Sequence, residues 1–383
     1  MPDLVAVALS GQAFLEEFRR LWDSGDAVLP VDPSLAGPGR RALLERLRPS
    51  LLIDAAGETS LPGKPVESGT AWVVATSGSS GVPKAAVLSR AAVEHSARAG
   101  MKRIGYRADE RWLVCLPVHH IAGLMMLVRS ELCGSQPVVH DRFDTEAVAA
   151  EKETSLIALV PTALQKLIDA GADLARYTAV RVGGAGLSDD LARRAAEAGI
   201  RLVNGYGMTE TCGGCVYDGR PLDGVEVEIG ESEEVLIRGA VLMDGYRLDP
   251  FLTAEKLRGG WLHTGDRGAL RDGRLEVLGR LDDLIISGGE NIDAAEVEQI
   301  LMQHPRIAQC AVIGLPDEKW GQVVAAAVVP HGSPPDLGDL RDFVGARASR
   351  RIAPRRLAIV GVIPRTSTGK VLRSELAELF LNG

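Results

Sequence analysis

The sequence predicts an α/β protein, with a large N-terminal α/β domain that carries an antiparallel β subdomain and a small C-terminal α+β domain. Three observations predict it. Short apolar runs alternate with amphipathic helical segments as far as Gly205, the order of parallel α/β units. From Val216 short β-like segments alternate with Gly/Asp turns, such as Asp272-Gly273, which reads as antiparallel structure. Beyond Gly279-Arg280-Leu281-Asp282-Asp283, a tail of about 100 residues reads strand, loop, helix, two strands and a helix. The expected domains are residues 1–281 and 282–383.

The elements follow in order. Phe14, Leu15, Phe18, Leu21 and Trp22 recur at helical spacing between Gln12 and Trp22. Ala27 to Asp32 reads as a buried strand, Gly39 to Leu47 as a helix, and Leu51 to Asp54 as a strand. Ala56 to Ser68 reads as a polar linker into the strand Ala71 to Ala75. Ser89 is placed to cap a helix running to Arg103. Further strands are expected at Trp112–Leu116, Ser135–His140, Leu156–Val160, Ala179–Val182 and Leu202–Val203. Helices are expected at Leu124–Cys133, Thr145–Lys152, Pro161–Ala170 and Ser188–Gly199. The last has early acids and a closing glycine, which suit its dipole and C-cap. In the antiparallel part the runs are Val225–Ile229, Val235–Ile237 and Leu275–Leu278. The tail holds a helix at Ala294–Gln303, strands at Cys310–Ile313 and Val323–Val329, and a helix at Leu337–Ala348.

Composition narrows the function classes. A hydrophobic content of 46% supplies ample core, and 25% charged residues is ordinary. A net charge of −8 argues against a generic nucleic-acid surface, which is basic. No apolar run reaches the roughly 18 residues of a membrane span. The N-terminus lacks a basic-then-apolar leader, so a cytoplasmic protein is expected, without membrane or nucleic-acid partners and with a homodimer left open. Five cysteines make no disulfide framework. Cys212 and Cys215 form a lone C-x-x-C without the second pair or nearby histidine that a zinc site needs, so packing is their expected role.

The most informative stretch is Thr76-Ser77-Gly78-Ser79-Ser80-Gly81-Val82-Pro83-Lys84, between two apolar runs. Its glycines let the backbone approach a ligand, and successive N–H groups in such a turn form an anion-binding concavity. Hydroxyls and the Lys84 ammonium add donors and charge. The pattern is not a Walker A loop, which needs four residues between its glycines and then Gly-Lys-Ser/Thr. A bare Gly/Ser loop is more often a flexible connection. The flanking strands and the terminal Pro-Lys favour a phosphate grip.

These nine residues resemble the phosphate loop of the acyl-adenylate-forming enzymes: acyl-CoA ligases, peptide-synthetase adenylation domains and luciferases. Further motifs of that superfamily follow in order. Tyr206-Gly207-Met208-Thr209-Glu210 resembles its Tyr-Gly-x-Thr-Glu element, and Thr264-Gly265-Asp266 its Thr-Gly-Asp. Gly279-Arg280-Leu281-Asp282-Asp283 resembles the hinge. Ser287-Gly288-Gly289-Glu290-Asn291 resembles the loop lining the pantetheine tunnel, although Ala294 or Ala295 stands where the family usually has proline. Pro364-Arg365-Thr366-Ser367-Thr368-Gly369-Lys370 resembles the terminal Gly-Lys motif. Each motif is modest alone, and six in one order exclude coincidence.

The resemblance implies ATP, Mg²⁺ and CoA as cofactor and co-substrates, with a carboxylic acid as substrate. It implies ATP contacts from Thr76, Ser77, Gly78, Ser79, Ser80, Gly81, Gly184, Ala185, Tyr206, Gly207, Met208, Asp266 and Arg280. Thr209 and Glu210 would serve the metal and the α-phosphate, Lys84 the departing phosphates, and Lys370 the adenylation step. Ser287, Gly288, Gly289 and Glu290 would serve CoA. Asp282 would be the hinge on which a mobile C-terminal domain turns between the two half-reactions.

The same resemblance addresses the acid. Pro117-Val118-His119-His120-Ile121-Ala122-Gly123 matches Pro-x-x-His-x-x-Gly, with His120, Gly183 and Gly205 lining the acid. No aspartate nearby would hold an α-ammonium, which argues against amino acids. The stretches Leu116–Leu124 and Gly207–Gly219 resemble those of short actinobacterial o-succinylbenzoate–CoA ligases of menaquinone synthesis. So does the position of the phosphate loop, which begins as early as Thr76. That acid carries a second carboxylate, for which Arg129 is the candidate cation. Another aryl or medium-chain acid is the alternative, as is a carrier-protein acylating domain. No carrier-domain serine motif follows Lys370, which disfavours a fused version. Arg347, Arg350, Arg351, Arg355 and Arg356 could meet CoA phosphates or form a solvated face.

Overall fold

The computed structural model describes residues 2–76, 84–365 and 371–381. The chain opens with strand β1 (Leu4–Ala8), helix α1 (Gly11–Ser24), β2 (Ala27–Pro30), helix α2 (Gly37–Leu47), β3 (Leu51–Asp54) and β4 (Gly57–Ser60). Then come β5 (Thr70–Thr76), β6 (Lys84–Ser89) and helix α3 (Arg90–Ile104). The periodic residues of α1 are its buried ones, and Phe18 and Trp22 pack on Trp72 with ring centroids 6.4 and 6.3 Å away. Ser89 caps α3, its hydroxyl accepting the Ala92 N–H at 3.3 Å. These strands form a seven-stranded sheet, extended beyond β6 by Gly245–Tyr246. β1, β2, β3 and β5 pair in parallel, while β5 and β6 are antiparallel, with Thr76 opposite Lys84. Residues 77–83, which separate these two strands in sequence, lie outside the described ones.

The second seven-stranded sheet is built from β7 (Trp112–Val114), β8 (Val138–Val139), β9 (Leu156–Leu159), β10 (Ala179–Gly183), β11 (Leu202–Met208), β12 (Gly213–Tyr217) and Arg220–Pro221. Helix α4 (Ile121–Leu132) follows β7. Val180 and Val182 of β10 enter the same apolar cluster as Leu164, Leu167 and Leu191 from the connecting helices. Strand alternation puts Arg181 on the opposite face. β11 turns back through Thr209–Thr211 into β12 with a register shift after Tyr206. A Cβ on Gly207 would lie 2.2 Å from the Gly213 carbonyl oxygen. Gly207→Ala is expected to lower stability by about 1–3 kcal/mol, because backbone must move to admit the methyl. Urea unfolding checks this, and an unchanged midpoint would contradict the packing described.

A third, antiparallel sheet uses Val225–Ile229, Glu234–Gly239, Leu257–Arg258, Trp261–Arg271 and Arg274–Arg280. Contacts divide the chain into two compact units. The first comprises 1–228, 236–263 and 270–275, the second 229–235, 264–269 and 276–383. The second unit has a sheet in the order Glu290–Asp293, Leu284–Ser287, Gly321–Pro330, Ile307–Asp317, with Arg356–Ile359 also pairing Gly321–Pro330. Val312, Val324, Ala326 and Val328 pack with Leu301 and Val344 of two helices. The alternate residues Ile313, Ala325 and Ala327 pack with Leu376. Alternation along these strands thus serves two apolar layers.

Several expectations need correction. The linker from Ala56 to Ser68 contains β4, which pairs antiparallel with β3. Its Gly-Glu-Thr-Ser is exposed on both faces and shows no apolar alternation. The strand at Leu202 continues through Tyr206-Gly207-Met208 instead of ending at Val203. Ser135–His140 shrinks to Val138–Val139, and Thr145–Lys152 to a helix at Thr145–Ala150. Trp261–Arg271, Arg356–Ile359 and the helix Arg373–Leu381 had no expected counterpart.

Candidate active site

The turn after β11 is locked by one hydroxyl. Thr211 Oγ1 accepts the Met208 N–H at 3.0 Å and lies 2.7 Å from the Gly213 carbonyl oxygen, to which it donates. This turn presents Glu210, whose side chain is buried although its chemistry is ionic. Tyr246 Oη donates to Glu210 Oε1 at 2.7 Å, and Lys84 Nζ stands 3.7 Å from the same oxygen. Lys84 Nζ is also 3.5 Å from Tyr246 Oη. β6 supplies Lys84, and the edge strand beside it supplies Tyr246, opposite Ala86. Two adjacent strands of the first sheet and the turn after β11 therefore bring a cation, a phenol and a carboxylate to one point in the first unit. Tyr246 was missed in the sequence because a lone tyrosine in Asp-Gly-Tyr-Arg carries no local pattern.

Glu210 suits a hard divalent cation that keeps most of its ligands from phosphate and water. One carboxylate oxygen carries the phenol and faces the lysine, and among the described residues no hydrogen bond to the other is recorded. No cluster of three or more metal-ligating side chains occurs among the described residues, so the donor set fits a metal brought with a phosphate ligand better than a caged ion. Thr209 stands one residue before Glu210 in the same turn.

Of the residues expected to line the acid, Gly183 and Gly205 sit near the ends of β10 and β11. Gly183 is opposite Gly205, and a Cβ on Gly183 would fall 2.6 Å from the Gly205 carbonyl oxygen. Gly184 has φ +85° and Ala185 is exposed beyond the strand end. Tyr206 is half-buried in β11. His120 is the N-cap residue of α4, its ring 4.4 Å from that of His119. His119 Nε2 is 3.6 Å from Asp32; burial lowers the His119 pKa while the aspartate pulls it the other way. Arg129 is neither exposed nor ion-paired: it is 1% exposed, and Nη2 donates to Tyr217 Oη at 3.2 Å. Cys212 and Cys215 are buried too, and burial pushes the Cys215 thiol up to about 12.

In the second unit Arg280 Nη1 donates to Asp266 Oδ1 at 2.8 Å. Burial works against that guanidinium's charge, and Asp266 beside it more than offsets this, raising the Arg280 pKa. Asp266 N–H in turn donates to Thr264 Oγ1 at 3.0 Å. Asp282 lies exposed in the turn Leu281–Asp283, 3.7 Å from Arg280 Nη2. Ser287 pairs with Glu290 across Gly288 and Gly289, whose φ values of +61° and +84° are those of a two-residue hairpin turn open to glycine. Glu290 is ion-paired with Arg351. Arg347 lies over Phe343, Arg350 pairs with Asp342 and Arg355 lies over Trp320, so these arginines are engaged within their own unit. Lys370 and Ser77, Gly78, Ser79, Ser80 and Gly81 lie outside the described residues.

Lys84 beside a buried Glu210, and a separately paired Asp266–Arg280, are arrangements that suit a nucleotide-dependent, acid-activating class of enzyme. The chain belongs to the AMP-binding enzyme family: that family matches residues 54–247, and its C-terminal domain matches 296–370. It is 44% identical to the probable 2-succinylbenzoate–CoA ligase of Mycobacterium tuberculosis (strain H37Rv), over 83% of this chain and 86% of the relative. It is 31% identical to the 2-succinylbenzoate–CoA ligase of Bacillus subtilis (strain 168), over 95% of this chain and 80% of the relative. Its fold is similar to the o-succinylbenzoate CoA synthetase of Bacillus subtilis in complex with the acyl-adenylate intermediate OSB-AMP. That TM-score is 0.88 at 29% identity, covering 98% of this chain and 88% of the other. Among the described residues no helix is long and apolar enough to cross a membrane.

Proposed function

We propose that this chain is an ATP-dependent acid–thiol ligase that activates o-succinylbenzoate as its acyl-adenylate and transfers the acyl group to CoA, within menaquinone synthesis in the cytoplasm. The observation that carries this reading is a likeness in sequence and in fold at once: 44% identity to the mycobacterial relative and a TM-score of 0.88 to the Bacillus synthetase. The acid's carboxylate oxygen attacks the α-phosphorus of ATP, the bond to the pyrophosphate oxygen breaks, and pyrophosphate leaves. The CoA thiol then gives its proton to solvent, its sulfur bonds to the acyl carbon, and the bond from that carbon to the AMP phosphate oxygen breaks, releasing AMP. A carboxylate is already a nucleophile, so the first step calls for positioning and charge stabilisation and no general base.

Each residue has a task in this reading. Mg²⁺, bound with ATP, offsets charge gathered on the phosphoryl oxygens. Glu210, with Thr209 beside it, would hold it. Tyr246 fixes the carboxylate, and Lys84 meets the departing phosphates. Tyr206 stacks on the adenine. Asp266, aligned by Arg280, accepts the ribose hydroxyls. His120, Gly183 and Gly205 line the acid, and Arg129 answers its second carboxylate. Gly288 and Gly289 let a thin ligand pass close to the backbone. The functional division is 1–281 and 282–383, with Asp282 as the hinge.

The test is pyrophosphate release from the purified chain with MgATP and a panel of o-succinylbenzoate, benzoate, hexanoate and amino acids, with and without CoA. Release with o-succinylbenzoate and a CoA thioester by mass are expected. Release with another acid alone removes the substrate and keeps the mechanism. No release with any acid, from folded protein that binds ATP, removes both. A second reading, a ligase for another aryl acid, is favoured by 34% identity to the feruloyl-CoA synthase of an Amycolatopsis species over 94% of this chain.

A further inference from the structure

Among the described residues of the first unit, three buried guanidinium groups form no ion pair: Arg247, which donates to three backbone carbonyl oxygens, and the neighbours Arg129 and Arg181. Arg129 on α4 is 1% exposed and Arg181 on β10 is 7% exposed. Both address Tyr217 of β12. Arg129 Nη2 donates to its hydroxyl at 3.2 Å, while Arg181 Cζ lies 5.0 Å from the ring centroid. Among the described residues neither forms an ion pair, and Arg129 Nη1 and Arg181 Nε are buried with no hydrogen-bond partner. Burial presses the Arg129 pKa down to about 10, and Arg181 nearby presses it the same way against the pull of Tyr217.

Two adjacent buried cations without a counter-charge are costly in a folded protein. Free N–H donors on such groups are what a carboxylate accepts well, in paired bonds. The backbone has also been cleared for Arg181. A Cβ on Gly214 would meet its Nη2 at 2.1 Å, and one on Gly205 would meet it at 3.2 Å. Arg181 and Gly183 are two residues apart on one strand, so they face the same side, about 7 Å apart along it. An aryl ring or a short alkyl chain covers that span. Nothing local in Val180-Arg181-Val182 marks this, since a charged residue between valines reads as a solvated strand face.

We propose that Arg181 and Arg129 together, braced on Tyr217, bind the remote carboxylate of the acid, and that Arg181 is the residue that selects dicarboxylic over monocarboxylic substrates. The inference rests on the reading that Gly183 and Gly205 line the acid. It goes beyond that reading by assigning a second cation and a specificity role.

The test is ATP–pyrophosphate exchange by the full chain with matched pairs of acids: o-succinylbenzoate with 4-oxo-4-phenylbutanoate, which lacks the ring carboxylate, phthalate with benzoate, and adipate with hexanoate. Wild type is expected to favour a diacid over its partner in kcat/KM. In Arg181→Leu the KM for the diacid should rise roughly tenfold to hundredfold, the size of a lost charged hydrogen bond. The KM for ATP and for the monoacid should stay within about twofold. Arg181→Lys should restore part of the preference. If the leucine variant does not fold, Arg181→Lys and Tyr217→Phe carry the test, each with a reduced diacid-to-monoacid ratio. An unchanged ratio in folded variants overturns the proposal, as does an equal rise for both acids of a pair. A wild type that ignores o-succinylbenzoate yet prefers another diacid removes the named substrate and leaves the arginine pair standing. A preference for the monoacid in every pair removes the arginine assignment and leaves acid activation standing.

Discussion

Lys370→Ala is expected to lower the rate of acyl-adenylate formation by roughly 10²–10³-fold while leaving thioester formation from supplied acyl-adenylate largely intact. The asymmetry follows from the chemistry. In the first half-reaction negative charge gathers around the α-phosphorus as the acid's oxygen arrives and pyrophosphate departs. A lysine that met this charge would act chiefly in the transition state, so its loss should appear in kcat. In the second half-reaction the charge moves to the acyl carbon's oxygen and to AMP, and in the proposed reading the glycine turn at Gly288-Gly289 would serve that step. Pyrophosphate exchange measures the first half, and CoA-thioester mass from synthetic o-succinylbenzoyl-adenylate measures the second. Equal losses in both halves, in a variant with wild-type circular dichroism, would sink the assignment of Lys370 to adenylation alone.

How much of this was legible in the sequence depends on how far apart the partners lie. The strand, loop and strand around Thr76 and Lys84 was readable because its apolar runs and small residues are contiguous. Glu210 was readable through a five-residue motif. Tyr246, which joins them, comes from 162 residues beyond Lys84 and 36 beyond Glu210. Nothing near it announces the meeting, because strand pairing across the sheet edge creates it. Arg181 is the sharper case. Its neighbours Val180 and Val182 enter the core, so alternation predicts that it faces the other way, and it does. Only the structure shows that this other face is covered by α4 and β12 and not by water. Trp261–Arg271 was missed for a different reason: Thr264-Gly265-Asp266 looks like a turn, yet it runs within a strand where Thr264 Oγ1 donates to the Val235 carbonyl at 2.7 Å.

Glu210→Gln should reduce adenylation by roughly 10²–10³-fold and shift the Mg²⁺ dependence to higher concentration. The amide is nearly isosteric, and its oxygen can still accept the Tyr246 hydroxyl, so the turn at Met208–Thr211 keeps its shape. What disappears is charge. A neutral oxygen is a poorer donor to a hard cation than a carboxylate. Lys84 also loses the anion that stands 3.7 Å from its ammonium and is freed to pair elsewhere. Both changes act on phosphate charge, so the effect should fall on kcat and on the Mg²⁺ titration, with the KM for o-succinylbenzoate near its wild-type value. That separation distinguishes Glu210 from Arg181, whose loss should move the acid's KM and leave the metal titration alone. Pyrophosphate exchange across a Mg²⁺ series at saturating ATP makes the measurement. A titration that superimposes on wild type would remove Glu210 from the metal site and leave it as a structural partner of Tyr246.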